Sequence, residues 1–301
     1  MKIKRSRARD FVFYMALLIL PLTQFCIFYI GVNVRSVLLA FQHIDPTDGA
    51  YSWVGFDNFR RLFNDFGLLP LFRYAFTNSL LLYAFSFAVG ISLGLIFSFY
   101  IYKKLPAHGI FKVLLFMPSI ISPIVMSMVF TQFVERFYPA FVRMLTGTGA
   151  AGLLTNPHTT KGTLIFYTLF VSFGTSTLLY VGAMNNISES VTEAAKIEGC
   201  GLVREFFSIT LPLIYPTVVV FVTTGLAGLF TNQMNLFSFY GSAAEHRYYT
   251  MGYYLFINAQ NLQNEYNYPY LAALGLFITV IIAPVTLLAH KLMSQFDPTE
   301  R

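Results

Sequence analysis

Charged residues cluster at a few places along the chain, and the windows between them are long and apolar. Six of these windows contain no Asp, Glu, Lys or Arg and are rich in Leu, Ile, Phe, Val and Ala. A helix needs about 20 such residues to cross a bilayer core, because each residue advances it by only about 1.5 Å. The pattern therefore predicts an all-α membrane protein with about six transmembrane helices, at residues 11–34, 74–102, 113–134, 162–184, 216–239 and 269–290.

Lys and Arg residues in the segments between the windows predict the orientation of the chain. They are concentrated in the N-terminal tail, 1–10, and in the short segment 103–112. Cytoplasmic segments of membrane proteins are enriched in Lys and Arg. We therefore expect both termini to be cytoplasmic, together with the tail 291–301 and the segment 185–215. The remaining segments would then be extracytoplasmic loops, at 35–73, 135–161 and 240–268.

The composition supports a membrane protein and excludes a soluble one. Hydrophobic residues make up 56% of the chain and charged residues only 11%, against about 25% charged in soluble domains. The basic start followed by an apolar run resembles a signal peptide, but the run is longer than usual and lacks a convincing small-residue cleavage site. We interpret 11–34 as a permanent span, and the net charge of +6 as a consequence of topology.

Several kinds of chemistry are missing from the sequence. Ion-coupled carriers usually hold ionisable groups at membrane depth, and none lies in the six windows, although a sodium site built from backbone carbonyls and hydroxyls would escape notice. No Lys follows a Gly, so the chain lacks a phosphate-binding loop and any ATPase must be a separate polypeptide. Cys26, Cys200 and the five scattered histidines predict neither a disulfide nor a metal site, and no cofactor is expected on this chain.

The segment 185–215 has the pattern of two short helices. Ser190 followed by Glu193 is typical of a capping box, with Ser190 at the N-cap. One helix face would carry Val191, Ala194, Ala195 and Glu198. Gly199 suits the left-handed position that ends a helix. A second apolar stripe predicts the following helix, and it consists of Leu202, Phe206, Ile209 and Leu213. Two such helices with small side chains flanked by charges are typical of a docking element.

The same segment resembles the EAA loop of ABC-importer permeases. The resemblance rests on Glu193, Ala194, Ala195, Glu198, Gly199, Ile209, Leu211 and Pro212, with Glu198 and Cys200 standing where the family usually has Asp and Ala. It implies a coupling helix that inserts into a cleft on a cytoplasmic ATPase, where Glu193 pairs with a basic group. Residues 53–59 and 112–123 resemble elements of the carbohydrate-uptake branch, whose members include the maltose and glycerol-3-phosphate permeases.

The resemblance implies a whole assembly. The fold would be that of a type I ABC importer permease in a bacterial or archaeal cytoplasmic membrane. Its partners would be a second permease, usually a different chain in this branch, two ATPase subunits that bind ATP and Mg²⁺, and an extracytoplasmic solute-binding protein. This chain itself would not be an enzyme.

Neutral polar and aromatic residues in the predicted spans suggest a path for a sugar, whose hydroxyls need hydrogen-bond partners and whose C–H face stacks on rings. The candidates are Ser172, Thr175, Ser176, Tyr180, Asn232, Gln233, Asn235 and Phe237. For each of them, hydrogen bonding between helices is an alternative explanation. A phosphorylated polyol or another small polar solute is the alternative substrate, and a secondary sugar carrier is the alternative mechanism.

Overall fold

A computed structural model describes residues 2–298, with the side chains of 2–9 and 262–264 excepted. The outermost residues of both predicted tails, and the basic side chains of the N-terminal one, therefore lie outside the described part. Most of the described range is helical. Its α-helices are α1 (Lys2–Gln24), α2 (Val32–Leu39), α3 (Asp57–Leu68), α4 (Pro70–Phe85), α5 (Ser92–Tyr102), α6 (His108–Ile120), α7 (Pro123–Gln132), α8 (Tyr138–Thr146), α9 (Thr160–Asn185), α10 (Glu189–Ile197), α11 (Leu202–Glu205), α12 (Leu211–Leu213), α13 (Tyr215–Ala227), α14 (Leu236–Tyr240), α15 (Met251–Ala259) and α16 (Tyr268–Ser294).

Short segments of other geometry connect some of these helices. Wider π-helical turns join helices end to end at Phe25–Gly31, Ser86–Ile91, Phe133–Phe137 and Phe206–Thr210, and 3₁₀ turns occur at His246–Tyr248 and Leu262–Asn267. Two short strands, β1 (Gln42–Ile44) and β2 (Tyr51–Trp53), pair antiparallel with His43 opposite Ser52.

Four continuous helical stretches are long and apolar enough to cross a membrane. They are Asp10–Leu39, Pro70–Tyr102, Thr160–Asn185 and Glu265–Ser294. Two further stretches are long and apolar enough only if two helices joined at a sharp bend are counted as one span. They are His108–Ile120 with Pro123–Thr146, and Leu202–Leu213 with Tyr215–Ala227. The described chain thus has four to six candidate spans, which agrees with the number expected from the sequence.

The span predicted at 113–134 is not a single continuous helix in the structure. The helix axis turns by 109° between α6 and α7, where Ile121 and Ser122 are extended with ψ of 142° and 132°. Ser122 precedes Pro123, and the ring of a proline disfavours helical geometry in the residue before it. Pro123 therefore interrupts the helix inside the predicted span.

The prediction of a helix over 216–239 is wrong in its second half. The helix α13 ends at Ala227, and the chain does not become helical again until Leu236. In between, Met234 and Asn235 adopt positive φ angles of 52° and 53°, a conformation incompatible with a continuing helix. Residues 228–235, called the break below, therefore form a non-helical turn, and such backbone is tolerated at membrane depth only where protein or a cavity surrounds it.

The described residues fall into two compact units. The first unit is Met1–Leu68 with Asn258–Thr279, and it contains the strand pair. Asn58 donates to the carbonyls of Ala40 and Gln42, at 3.0 and 2.8 Å, and so ties α3 to β1. In the turn between the strands, Thr47 donates two hydrogen bonds to Asp45, and these bonds lower the pKa of that carboxyl.

The second unit is Leu69–Ile257 with Val280–Arg301, and its core forms where α9 meets its neighbours. A Cβ at Gly174 would lie 2.7 Å from the Leu115 carbonyl oxygen and 2.8 Å from Phe116 Cα, so this glycine allows α9 to pack directly on α6. On the α5 side, a Cβ at Gly94 would lie 3.4 Å from the ring of Tyr180, and Ser98 donates to the Thr177 carbonyl at 3.1 Å. All of the sites described below belong to this second unit.

Candidate functional site

The segment 185–215 folds as two helical pieces, as expected. Its start differs from the prediction, because α10 begins at Glu189 with Ser188 as the N-cap residue and no side-chain capping bond. The capping box of Ser190 with Glu193 is therefore wrong. Instead, the Ser188 and Ser190 hydroxyls share a hydrogen bond of 2.8 Å. Since Glu193 has no role in capping, its exposed carboxylate is left for another purpose.

The end of α10 matches the prediction. Gly199 has φ of +72°, the left-handed conformation expected there. Its N–H donates to the Lys196 carbonyl at 3.0 Å, and the Cys200 N–H donates to the Ala195 carbonyl at 2.9 Å. These two bonds form a Schellman motif, which satisfies the last carbonyls of the helix and reverses the chain.

The two pieces enclose a groove of about 350 Å³. The predicted face of Val191, Ala194, Ala195 and Glu198 lines it, and Ile209 closes it from the second piece. The other residues of the EAA-like pattern lie around the groove. Glu193 is exposed on a different face, whereas Leu211 and Pro212 are half-buried.

The predicted stripe on the second piece is only partly correct. Phe206 is buried, but Leu202 and Leu213 are 46% and 43% exposed. The π-helical turn Phe206–Thr210 adds a residue to one turn and rotates the residues after it, so the four positions do not share one face. Large apolar side chains remain exposed across the segment, with Ile197 at 87%, Val203 at 73% and Phe207 at 61%.

A cavity of about 230 Å³ lies between α9, α13 and the α4–α5 helix. Of the residues that we expected on the solute path, Ser172, Ser176 and Tyr180 line this cavity, whereas Thr175 does not. The Tyr180 side chain is only 1% exposed, and its hydroxyl has no hydrogen-bond partner among the described residues. Its ring packs 4.4 Å from that of Phe221, which also lines the cavity.

A second cavity of about 390 Å³ lies beside the first. The two cavities share Thr168, Ser172 and Asn232. Gln233, Asn235 and Phe237 line only the second one. The structure therefore brings together seven of the eight predicted residues, from α9, from the break and from α14, in two adjoining spaces.

The three amides of the break differ in what their side chains do. Asn232 Oδ1 accepts from the Met234 N–H at 2.8 Å, and Asn235 Nδ2 donates to Thr168 Oγ1 at 3.1 Å. Both bonds stabilise the turn. Hydrogen bonding within the protein, the alternative to solute binding, therefore accounts for Asn232 Oδ1 and Asn235 Nδ2. Gln233, in contrast, makes no side-chain hydrogen bond within the described chain, so its amide remains available to a solute.

Polar groups from distant parts of the chain hold the break in place. Thr250 donates to the Asn232 carbonyl at 2.7 Å. The backbone at Gly252 lies so close to the break that a Cβ added there would overlap the Thr231 carbonyl. One layer further, Asn78 of α4 donates to the Arg247 and Tyr249 carbonyls at 2.9 and 2.8 Å. The walls of the second cavity are therefore rigidly supported.

Thr168 lines both cavities and was missed in the sequence. It continues the spacing of Ser172, Ser176 and Tyr180 by one further step of four residues toward the N-terminus, so a count along this helix face would have found it. Across residues 2–298, no group of three or more His, Cys, Asp or Glu side chains is arranged to hold a metal ion.

Comparisons with known proteins agree with this geometry. The arabinooligosaccharides transport system permease protein AraP of Bacillus subtilis is 26% identical over 278 residues, which cover 90% of this chain and 85% of AraP. The sn-glycerol-3-phosphate transport system permease protein UgpA of Pectobacterium atrosepticum is 27% identical over 197 residues, 63% of each protein. A chain of a bacterial alginate ABC transporter, solved with an alginate pentasaccharide-bound periplasmic protein, has the same fold, with a TM-score of 0.78 at 18% identity over 98% of both chains.

The family match covers most of the chain. Residues 86–301 match the family described as "Binding-protein-dependent transport system inner membrane component". This range contains the 185–215 segment, the break between α13 and α14, the second cavity, and every residue that lines the first cavity except Leu82 and Tyr83. The chain therefore belongs to the family of inner-membrane components of binding-protein-dependent transport systems.

Proposed function

We propose that this chain forms half of the translocation pathway of an ATP-driven, binding-protein-dependent importer, and that the solute is a neutral sugar or oligosaccharide. The observation that carries the proposal is the groove of the 185–215 segment, where Ala194, Ala195 and Glu198 of the EAA-like pattern meet Ile209 of the same pattern. Family membership supplies the context of a transport system with several components.

The surface of the 185–215 segment supports an ATPase partner. Exposed apolar side chains such as Ile197 and Val203 are unfavourable in water and mark contact sites when they occur together. The exposed Glu193 lies on α10 together with Ile197 and can pair with a basic group of the ATPase. Glu193, Ala194, Ala195, Glu198, Gly199, Ile209, Leu211 and Pro212 would thus form the ATPase contact and its support.

The lining of the two cavities supports a neutral sugar. Hydroxyls of Thr168, Ser172 and Ser176 and the free amide of Gln233 can serve sugar hydroxyls, while Phe221 and Phe237 offer apolar faces. Among the residues that line the described cavities there is no Asp, Glu, Lys or Arg. A phosphorylated polyol, the solute named for UgpA, is the second candidate, but a phosphate would meet no cation from this chain.

The assembly that we propose has a further permease, two ATPase subunits and an extracytoplasmic solute-binding protein. Both termini and the 185–215 segment would face the cytoplasm of a bacterium or archaeon. ATP and Mg²⁺ would bind the ATPase subunits. Closure of the ATPases would move the coupling helices and rock the permease pair from inward- to outward-facing, which passes the solute from the binding protein to the cavities.

The docking half of the proposal is tested by copurification. The chain is expressed with the permease and ATPase genes beside its own, and the ATPase retained per permease is measured for wild type, Glu193→Ala and the control Glu189→Ala. Glu189 is an exposed acid of the same helix. We expect only Glu193→Ala to lose ATPase. Transport by wild-type chain without a bound ATPase would instead indicate a secondary carrier.

The solute half is tested by uptake into vesicles that hold the complete complex and its binding protein. Labelled arabinotriose and labelled glycerol 3-phosphate are the two probes. We expect uptake of the neutral sugar to fall about tenfold in Gln233→Ala, as when one hydrogen bond worth about 1.4 kcal/mol is lost. The control is Gln132→Ala, an exposed amide of α7 that lines neither cavity. Uptake of glycerol 3-phosphate alone would overturn the sugar assignment.

A further inference from the structure

One ion pair joins the 185–215 segment to the end of the α4–α5 helix. Lys103 Nζ lies 2.7 Å from Glu205 Oε1, and the two side chains are only 12% and 2% exposed. Three further ion pairs, Arg60–Asp57, Arg61–Asp65 and Arg247–Glu245, join near neighbours in sequence, and their side chains are more exposed. The Lys103–Glu205 pair therefore differs from them both in its burial and in the sequence separation of its two residues.

Both partners lie where helix ends favour their charges. Lys103 directly follows α5 and caps its carbonyl end, and Glu205 lies in the first turn of the helical piece that starts at Leu202. A cation is stabilised at the C-terminal end of a helix and an anion at the N-terminal end. The pair consequently links two helix ends of opposite polarity in a fixed geometry.

The same junction continues inward as a packed cluster that ends at the first cavity. Phe206, next to Glu205, packs 5.0 Å from the ring of Phe99 on α5. Phe206, Phe99 and Tyr180 belong to one buried cluster, together with Ile214 at the end of the segment. Since Tyr180 also lines the cavity, an unbroken series of contacts connects the segment to the cavity wall.

We propose that Lys103 and Glu205 are a positioning pair that transmits movement of the 185–215 segment to α5, and through the cluster to the wall of the cavity. The inference rests on the function proposed above, because it assumes that an ATPase moves this segment. Apolar contacts alone let two helices slide past each other, whereas a buried ion pair is costly unless its partners stay together. The pair therefore couples the two helix ends more tightly than the surrounding side chains do.

The experiment monitors the cavity wall directly and needs no solute. A single cysteine is placed in the first cavity by Ser176→Cys, in a background where Cys26 and Cys200, the two cysteines of the chain, are replaced by serine. The purified complete complex is treated with a water-soluble maleimide, with and without MgATP. The ratio of the two labelling rates is the ATP response of the cavity. ATPase stoichiometry and ATP hydrolysis are measured on the same samples.

Four variants are compared with the wild-type pair in this background. Two single variants, Glu205→Gln and Lys103→Met, remove one charge each with little change in volume. The double exchange of Lys103→Glu with Glu205→Lys restores opposite charges. The control is Lys104→Met. Lys104 is the exposed neighbour of Lys103. We expect each single variant to keep its ATPase and its ATP hydrolysis but to lose about nine-tenths of the ATP response, equivalent to about 1.4 kcal/mol of coupling.

We expect the exchanged pair to recover part of the response, because each charge would then face the less favourable helix end. An unchanged ATP response in both single variants overturns the inference. The inference is also overturned if the exchanged pair has no larger ATP response than the single variants. Single variants that lose the ATPase altogether overturn it as well, because the pair would then serve folding or docking only. A wild-type complex that binds no ATPase refutes instead the function proposed above.

Discussion

The 185–215 segment and the break after α13 both interrupt apolar helices with polar residues, yet they are held in opposite ways. The segment depends on its own backbone, through the Schellman motif at Gly199, and leaves Ile197 exposed. The break depends on other parts of the chain, through Thr250, Gly252 and, one layer further, Asn78. Its own polar atoms mostly bond within the protein.

The two regions are stabilised differently because one is a surface for a separate protein and the other is a cavity wall inside the protein. A surface that awaits a separate protein must keep its shape while part of it is uncovered, so local bonds have to suffice. A cavity wall inside the protein is shaped by whatever surrounds it, and each buried polar atom there must find a partner. We therefore expect substitutions at the residues that support the break to act on folding, and substitutions on the exposed surface of the segment to act on binding.

The largest effect is expected at Gly252. A Cβ would overlap the Thr231 carbonyl, and backbone atoms cannot rotate away, so Gly252→Ala should destabilise by about 3 kcal/mol, the upper part of the range for overpacking. The amount of monodisperse complex that survives heating measures this. Gly182→Ala is the control, because nothing lies within 4 Å of a Cβ at Gly182. Equal heat resistance in the two variants would show that the break is not rigidly held.

A somewhat smaller effect is expected at Asn78. Asn78→Ala leaves the Arg247 carbonyl and the buried Tyr249 carbonyl without their donor, which should lower stability by about 2 kcal/mol. The same heating experiment measures it, with Asn33→Ala as the control, since Asn33 is exposed and bonds only to its own helix. If heat resistance stays at the wild-type level, the distant anchor is unimportant and the contrast between the regions weakens.

The segment should respond in binding rather than in stability. Ile197→Ser removes an 87% exposed side chain, so the fold should be unaffected. The affinity for the ATPase should fall about tenfold, as expected for the loss of about 1.5 kcal/mol of apolar burial in an interface. Titration of the ATPase onto the permease pair measures this. Met144→Ser, which changes a residue 84% exposed in the 135–161 segment, should leave the affinity unchanged, and an equal loss there would argue against a specific docking face.

The smallest effect is expected at Gly199. Gly199→Ala places a side chain on a residue with φ of +72°, which costs about 1 kcal/mol and should speed hydrogen exchange at the end of α10 only. Gly201 has φ of −73°, so Gly201→Ala is a matched control that should leave exchange slow. Faster exchange throughout the protein in Gly199→Ala would mean that the segment is not locally determined.

The amino-acid sequence by itself determined the features that depend on near neighbours. The six apolar windows, the face of Val191, Ala194 and Ala195 in the groove, and the left-handed Gly199 all follow from periodicity and from the conformations that each residue allows. The alternation of long apolar windows with charged segments likewise determined the membrane class, because a bilayer selects for length and apolarity.

Only the tertiary structure decided where the apolar windows stop being helical and which polar atoms stay free. Asn232, Gln233 and Asn235 have similar side chains, yet two of them bond to the turn or to Thr168 and Gln233 does not. The burial of the Lys103–Glu205 pair was likewise decided by the tertiary structure. Asn235 and Glu205 bond to residues 67 and 102 positions away, and one sequence shows which groups need partners but not which ones they meet.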